Sequence, residues 1–275
     1  MMSEEFRALI GRELVNSLRN KWLISYALMY AALGLSLSYY GLMGLGYVGL
    51  RGFGRISASL INLTLYLVPL ISMSLAGLSI VSEREEGTLE RVLSQPVSKT
   101  ELLFGKYIGI VVSIGTTTGL GYGLAAWLLW LVLNPADIGA FLSIMLSSIL
   151  LASALAAVGL LISIAASSRF GALAAVLMAW LGLVVIYDLL VMGVTMVADL
   201  RWNDLLPLLM LNPVESARIL MIYSFDQSLL FLGPTGTYVA RAFGPNVPLA
   251  FGASLAFWTV ISIVSALLVF RRQDL

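Results

Sequence analysis

The sequence predicts an all-α integral membrane protein with six transmembrane helices, an N-terminal amphipathic interfacial helix and a short cytoplasmic helix. Three observations carry that prediction. Of 275 residues, 60% are hydrophobic and only 11% charged. A soluble domain carries about 25% charged residues, so too little polar surface remains to coat a globule in water. Six stretches, 22–43, 56–81, 107–133, 138–167, 170–198 and 247–270, reach the roughly 20 apolar residues that a helix needs to cross the hydrocarbon core. Five of them hold no Asp, Glu, Lys or Arg, and the remaining one, 170–198, holds only Asp188. Long unbroken apolar runs do not suit a barrel, whose strands are short and alternate.

The chain is expected to form one transmembrane domain over 1–275, and its elements follow in order. Over 3–21, Phe6, Leu9, Ile10, Leu14 and Leu18 fall on one helical face, while Glu5, Arg12, Asn16 and Arg19 fall away from it. That pattern suits a helix lying in the membrane interface. The first span is longer than a signal-peptide core and lacks a small-residue cleavage site after it. Lys and Arg set the orientation. With the N-terminus inside, eleven of the sixteen lie on the cytoplasmic side and five outside. Both termini are then cytoplasmic, in a multi-pass protein of the plasma membrane, and an even number of spans is required.

Two connections are too large to be turns. The cytoplasmic one, 82–106, is the most charged part of the chain, and 82–100 forms its loop. Ser82 with Glu85, and Ser98 with Glu101, have capping-box spacing, so two helix starts are expected there. The first short helix would carry Leu89, Val92 and Leu93 on one side, with Glu83, Glu86, Glu90 and Arg91 on the charged sides. Gly87 would weaken it and Pro96 end it. Such a helix suits a groove on a soluble partner, and an ordinary solvated loop is the competing reading. The outer connection, 199–246, is densely apolar over 205–225, yet Pro207, Pro213, Glu215 and Arg218 argue against a further span. A half-buried interfacial hairpin or helix is expected, followed by turns at Gly233-Pro234-Thr235-Gly236 and Gly244-Pro245-Asn246.

Within the spans, Asp188 needs protein or a wet cavity around it, because an unpaired carboxylate in lipid costs several kcal/mol. It either lines a transport path or pairs with a backbone or hydroxyl donor near the outer leaflet. Gly115, Gly119 and Gly123 form a small-residue face suited to close helix packing, within the chain or between subunits. Thr116, Thr117 and Thr118 either bond across helices or soften their own.

Several chemistries are excluded. Histidine and cysteine are absent, which removes the commonest base, the catalytic thiol and the usual transition-metal ligands. Eleven methionines are scattered and suit apolar filling better than metal ligation. No Walker pattern, nucleophile elbow or pair of intramembrane carboxylates is present. The chain is therefore expected to be no enzyme, to bind no metal or cofactor of its own and to have no nucleic-acid partner.

Glu83-Arg84-Glu85-Glu86-Gly87-Thr88-Leu89-Glu90, then Ser94-Gln95-Pro96-Val97-Ser98 and Gly105-Lys106-Tyr107, resemble the signature of ABC-2-type transporter permeases. The placement between spans two and three resembles the family as well. The resemblance implies a half-transporter that pairs with a second copy of itself in the lipid bilayer. Each copy would seat its short helix, the family's coupling helix, in a separate ATPase subunit that holds ATP and Mg. The residues implied in that contact are Glu83, Arg84, Glu85, Glu86, Gly87, Thr88, Leu89 and Glu90. Within the family, Leu211-Asn212-Pro213-Val214-Glu215, Arg218-Ile219-Leu220 and Gly233-Pro234-Thr235-Gly236 are similar to permeases of the copper-maturation system for nitrous oxide reductase. That similarity implies a sulfur-species or energy-transducing exporter that works with an extracytoplasmic copper-binding partner. A gradient-driven secondary transporter or channel is the rival class, but no paired interrupted helices in related halves are evident.

Overall fold

The computed structural model describes residues 50–94, 98–132, 138–197, 202–224 and 226–273, with five isolated helical positions between 25 and 36. The amphipathic helix expected over 3–21, and all but those five positions of the first expected span, lie outside the described residues. Among the described residues the regular structure is entirely helical. α1 covers Leu50–Glu85, α2 Thr88–Leu93, α3 Lys99–Val132 and α4 Ile138–Ala165. α5 covers Arg169–Leu181 and continues through a π turn, Gly182–Ile186, into α6, Tyr187–Val197. α7 covers Trp202–Leu211, α8 Pro213–Tyr223, α9 Gly233–Phe243 and α10 Val247–Arg272. Five described stretches are long and apolar enough to cross a membrane: Ala58–Glu85, Lys99–Leu124, Leu142–Ala165, Arg169–Val194 and Thr235–Arg272. The protein is thus a multi-pass membrane protein, and the five stretches match the five later spans expected from sequence.

α4 is the central helix, packed against α1, α3, α8 and α10. Lipid tails are as apolar as leucine, so helices in a bilayer gain most from close contact between small residues. α4 supplies them: Ala152, Ala156, Gly159 and Ser163 are all buried. A Cβ on Gly159 would lie 2.6 Å from the Met73 carbonyl oxygen and 2.8 Å from Ala76 Cβ. A Cβ on Gly77 would lie 2.5 Å from Val176 Cγ2, so α5 also approaches α1 closely. At that separation the Ser163 hydroxyl reaches the α1 backbone and accepts from the Ile80 and Val81 amides, both at 3.0 Å.

Among the described residues the glycine face expected on α3 makes ordinary contacts. A Cβ on Gly115 or Gly119 would make ordinary contact with Ile149 or Met145 of α4, and one on Gly123 would meet nothing within 4 Å. Thr116, Thr117 and Thr118 each donate to carbonyls of their own helix, at Ser113, Ser113 and Ile114. Among the described residues they do not bond across helices. One buried hydroxyl cluster does cross: Tyr122 of α3 meets Thr64 of α1 at 2.5 Å and accepts from Ser148 of α4 at 3.4 Å.

The described part of the 199–246 connection folds as a broken helix. The axes of Leu205–Leu211 and Pro213–Tyr223 meet at 102°, and Pro213 through Ala217 are buried. The bend makes the pair a broken span or a re-entrant loop, and its second arm packs against α4 and α10. Gly233 (φ +62°) and Gly244 (φ +51°) take left-handed φ values that favour glycine. They stand at the start and just past the end of α9, so the turn residues bracket a helix.

The α1–α4 contact gives the first prediction. Gly159→Ala should lower the melting temperature in detergent, with an overpacking cost of about 1–3 kcal/mol. Gly193→Ala, where nothing lies within 4 Å, should leave it unchanged. Equal melting temperatures, measured by fluorescence-detected gel filtration after heating, would contradict this packing.

Candidate functional site

Five helix ends meet at one pole of the bundle, and the residues singled out in 83–90 sit among them. α1 runs on through Glu85, so Ser82 and Glu85 occupy its last turn and do not start a helix, contrary to expectation. The helix continues because Glu83, Arg84 and Glu85 each find a partner on a neighbouring element. Gly87 then takes φ +65°, a left-handed conformation that reverses the chain, and α2 begins at Thr88. Gly87 is thus the corner that makes α2, rather than a weak point within it. Leu89 and Val92 are buried beneath the bundle, while Glu90, Arg91 and Ser94 are exposed. The second expected start is present: the Ser98 amide donates to Glu101 Oε2 at 2.9 Å and the Glu101 amide to Ser98 Oγ at 3.2 Å. This capping box opens α3.

The acidic run divides by partner. Glu83 pairs with Lys106 of α3 at 2.8 Å, and that lysine is only 3% exposed. Arg84 donates to the carbonyl oxygens of Ile164 (3.3 Å) and Ala166 (3.0 Å) and to Gln273 Oε1 (2.7 Å). It thereby satisfies carbonyls at the C-terminal end of α4, where a cation also suits the helix dipole. Glu85 accepts from the Arg169 amide at 2.8 Å and meets its Nε at 3.0 Å. Glu86 meets Arg169 Nη2 at 2.5 Å. Lys99 donates to the Gln273 carbonyl at 2.7 Å, beyond the end of α10. Thr88 Oγ1 donates to the Glu83 carbonyl, which ties α2 back to α1. From sequence, Lys106 stood out only within Gly105-Lys106-Tyr107 and Arg169 only as one of the orienting charges, and neither was paired with the acidic residues. Their signal was positive charge at the base of a span.

At the opposite pole the broken helix is held by capping. The last four carbonyls of a helix lack partners within it, and the bilayer interior offers no water to take their place. Tyr187 donates to Leu208 O, Ser216 to Leu209 O, Ser254 to Met210 O and Trp258 to Leu211 O. The whole C-terminal turn of α7 is thus capped from α6, α8 and α10. Asn212, fully buried, occupies the corner. Its Oδ1 accepts from the Val214 amide and caps α8, while its Nδ2 donates at 2.7 Å to the Leu183 carbonyl in the π turn.

Asp188 lies beside this corner and is paired. Arg218 Nη2 is 2.9 Å from Asp188 Oδ2, and Arg218 Nη1 is 2.6 Å from Glu215 Oε1. One guanidinium bridges two carboxylates and joins α6 to α8. Its fork geometry suits this double role better than an ammonium would. Neither of the donors considered from sequence was an arginine. Arg218 and Glu215 stand one turn apart, a spacing that marks an ion pair on a helix.

Arg218→Gln should destabilise more than Asp188→Asn. The first leaves two facing carboxylates without a cation, and the second leaves Arg218 paired with Glu215. Breaking a buried pair costs up to about 3–5 kcal/mol. Melting followed by tryptophan fluorescence checks the order, and an Asp188→Asn protein less stable than Arg218→Gln would contradict it.

Comparison with known proteins places this architecture. The chain matches the family described as ABC-2 family transporter protein over residues 7–275. It is 29% identical over 271 residues to the probable ABC transporter permease protein NosY of Stutzerimonas stutzeri, covering 95% of this chain and 96% of that one. It is 31% identical over 279 residues to the probable ABC transporter permease protein NosY of Pseudomonas aeruginosa, covering 96% and 97%. A match over nearly the whole length, on a multi-pass helical bundle with a short charged helix at one pole, leads to one conclusion: this chain belongs to the ABC-2 family of transporter proteins.

Proposed function

We propose that this chain is the permease subunit of an ABC exporter, and that α2 docks a separate ATPase subunit. The observation that supports this most is the division of residues at the charged pole. Leu89 and Val92 fix α2 to the bundle, and its opposite side is left open at Glu90 and Arg91. Glu83, Arg84, Glu85 and Glu86 anchor the segment within the chain, as their partners require. Gly87, Thr88 and Leu89 set where α2 stands, and Glu90 and Arg91 offer charge to a groove on the ATPase.

In this reading the charged pole is cytoplasmic, since eleven of sixteen Lys and Arg residues fall on that side. Two copies pair in the plasma membrane, each with six spans, and Gly123 lies open for contact with the second copy. ATP and Mg belong to the partner subunit, where hydrolysis would occur. Asp188, Arg218 and Glu215 then lie at the outer end of the path. The finer assignment rests on the outer Leu211–Glu215 and Gly233–Gly236 segments and on similarity to the two NosY permeases. We assign the cargo to a sulfur species used in copper-site maturation of nitrous oxide reductase, delivered to an extracytoplasmic partner.

Co-expression with the ATPase subunit encoded nearest to the chain, followed by affinity capture in mild detergent, tests the docking. The expected product is a complex with two copies of each subunit. Glu90→Lys should weaken capture at least fivefold with the melting temperature unchanged, because Glu90 is exposed. A folded, monodisperse chain that captures no ATPase would favour a gradient-driven carrier instead.

A further inference from the structure

We propose that Arg169 is the positioning residue that carries movement of the docking segment into the fifth expected span, α5–α6. The proposal rests on the reading of α2 as the ATPase contact. The turn between α4 and α5 is short, and the last turn of α1 grips both of its sides. On the α4 side Arg84 holds the Ile164 and Ala166 carbonyls. On the α5 side Arg169 makes a multi-point contact. Its amide donates to Glu85 Oε1 at 2.8 Å, its Nε meets Glu85 Oε2 at 3.0 Å, and its Nη2 reaches both the Ser82 carbonyl, at 2.9 Å, and Glu86 Oε1, at 2.5 Å. Nη2, shared between two acceptors, orients the guanidinium, and Nε adds an ion pair with Glu85 without a hydrogen bond.

Besides its ends, α5 packs on α1, with Val176 against Gly77 and Trp180 Nε1 donating to the Tyr66 carbonyl at 3.1 Å. Between Arg169 and Leu181 only Ala172 and Val176 are buried, and Phe170 is 84% exposed. A helix packed along one side follows that side and its two ends. Its first turn is fixed to the segment that leads, through Gly87, into α2. Its continuation is fixed to the broken helix by Asn212 on Leu183 O, Tyr187 on Leu208 O and Arg218 on Asp188. A shift of Glu85 and Glu86 therefore moves Arg169, then α5–α6, then α8 at the far pole. Arg169 is 40% exposed, and exposed ion pairs contribute little to stability. Its loss should affect movement more than folding.

The chain has no cysteine, so Leu189→Cys, at a position 64% exposed on α6, offers a unique site for a bimane label. The label is read in the complete complex with the ATPase subunit, before and after ATP with vanadate. The parent should show a nucleotide-dependent emission change. Arg169→Gln should reduce that change at least fivefold while ATPase capture and basal hydrolysis stay at parent levels. Arg169→Lys, which keeps the charge without the fork, should retain an intermediate response. It also carries the comparison if the Gln variant fails to reach the membrane. An undiminished change in both variants would overturn the proposal, as would a parent label that ignores nucleotide. Loss of ATPase capture in Arg169→Gln would make Arg169 a docking residue and overturn it equally. A parent that captures no ATPase sinks the underlying docking reading instead, and that result is obtained before any variant is made.

Discussion

A lipid interior offers no hydrogen bonds, and that constraint shapes both poles and the middle of this protein. A backbone carbonyl without a partner there costs several kcal/mol. The broken helix at Asn212 exists only because neighbouring helices supply what water would. Tyr187, Ser216, Ser254 and Trp258 cap four successive carbonyls, and Asn212 serves α8 and the π turn together. The π turn itself follows the same logic, since its Leu183 carbonyl is the acceptor that Asn212 uses. Near the opposite pole, Arg84 and Lys99 do for α4 and α10 what those hydroxyl, amide and indole groups do for α7.

The two poles differ in the kind of charge they carry. The pole of α2 joins one buried pair, Lys106 with Glu83, to the partly exposed pairs of Arg169, and exposed pairs break and re-form at low cost. The other pole concentrates one guanidinium between two carboxylates, where breaking a pair is expensive. A transporter driven from one side needs both properties. The driven end must move with a soluble partner, and the far end must change state together. α4 runs between them, held to α1 at a separation that only glycine and small residues permit. It suits the role of the fixed member against which α5–α6 could move.

Much of the fold was legible in the sequence because hydrophobic length is a strong signal. The spans at 56–81, 107–133, 138–167, 170–198 and 247–270 each correspond to a described helix. The apolar side of α2, at Leu89 and Val92, was readable from spacing alone. Partnership was not. Capping-box spacing at Ser82 and Glu85 matches the motif, yet the helix passes through because Arg169 claims Glu85. The Gly115–Gly123 stripe, expected to pack within the chain or between subunits, makes ordinary contacts among the described residues, and the close approaches to α1 are at Gly159 and Gly77, because a stripe says nothing about which neighbour arrives. The small residues Ala152, Ala156, Gly159 and Ser163 carried the better signal, with buried neighbours all round. Asp188 was legible as a charge in need of a partner. Its partner lay across a proline-broken connection, where no periodicity links the two.

The central claim is that the pole carrying α2 meets an ATPase. In a chain without native cysteine, Arg91→Cys on the exposed side of α2 and Leu249→Cys near the start of α10 can each be cross-linked in membranes that contain the neighbouring ATPase subunit. The account predicts a cross-link to the ATPase from position 91 and none from position 249. A cross-link from 249 alone, or from neither position when both proteins are present and folded, would contradict it.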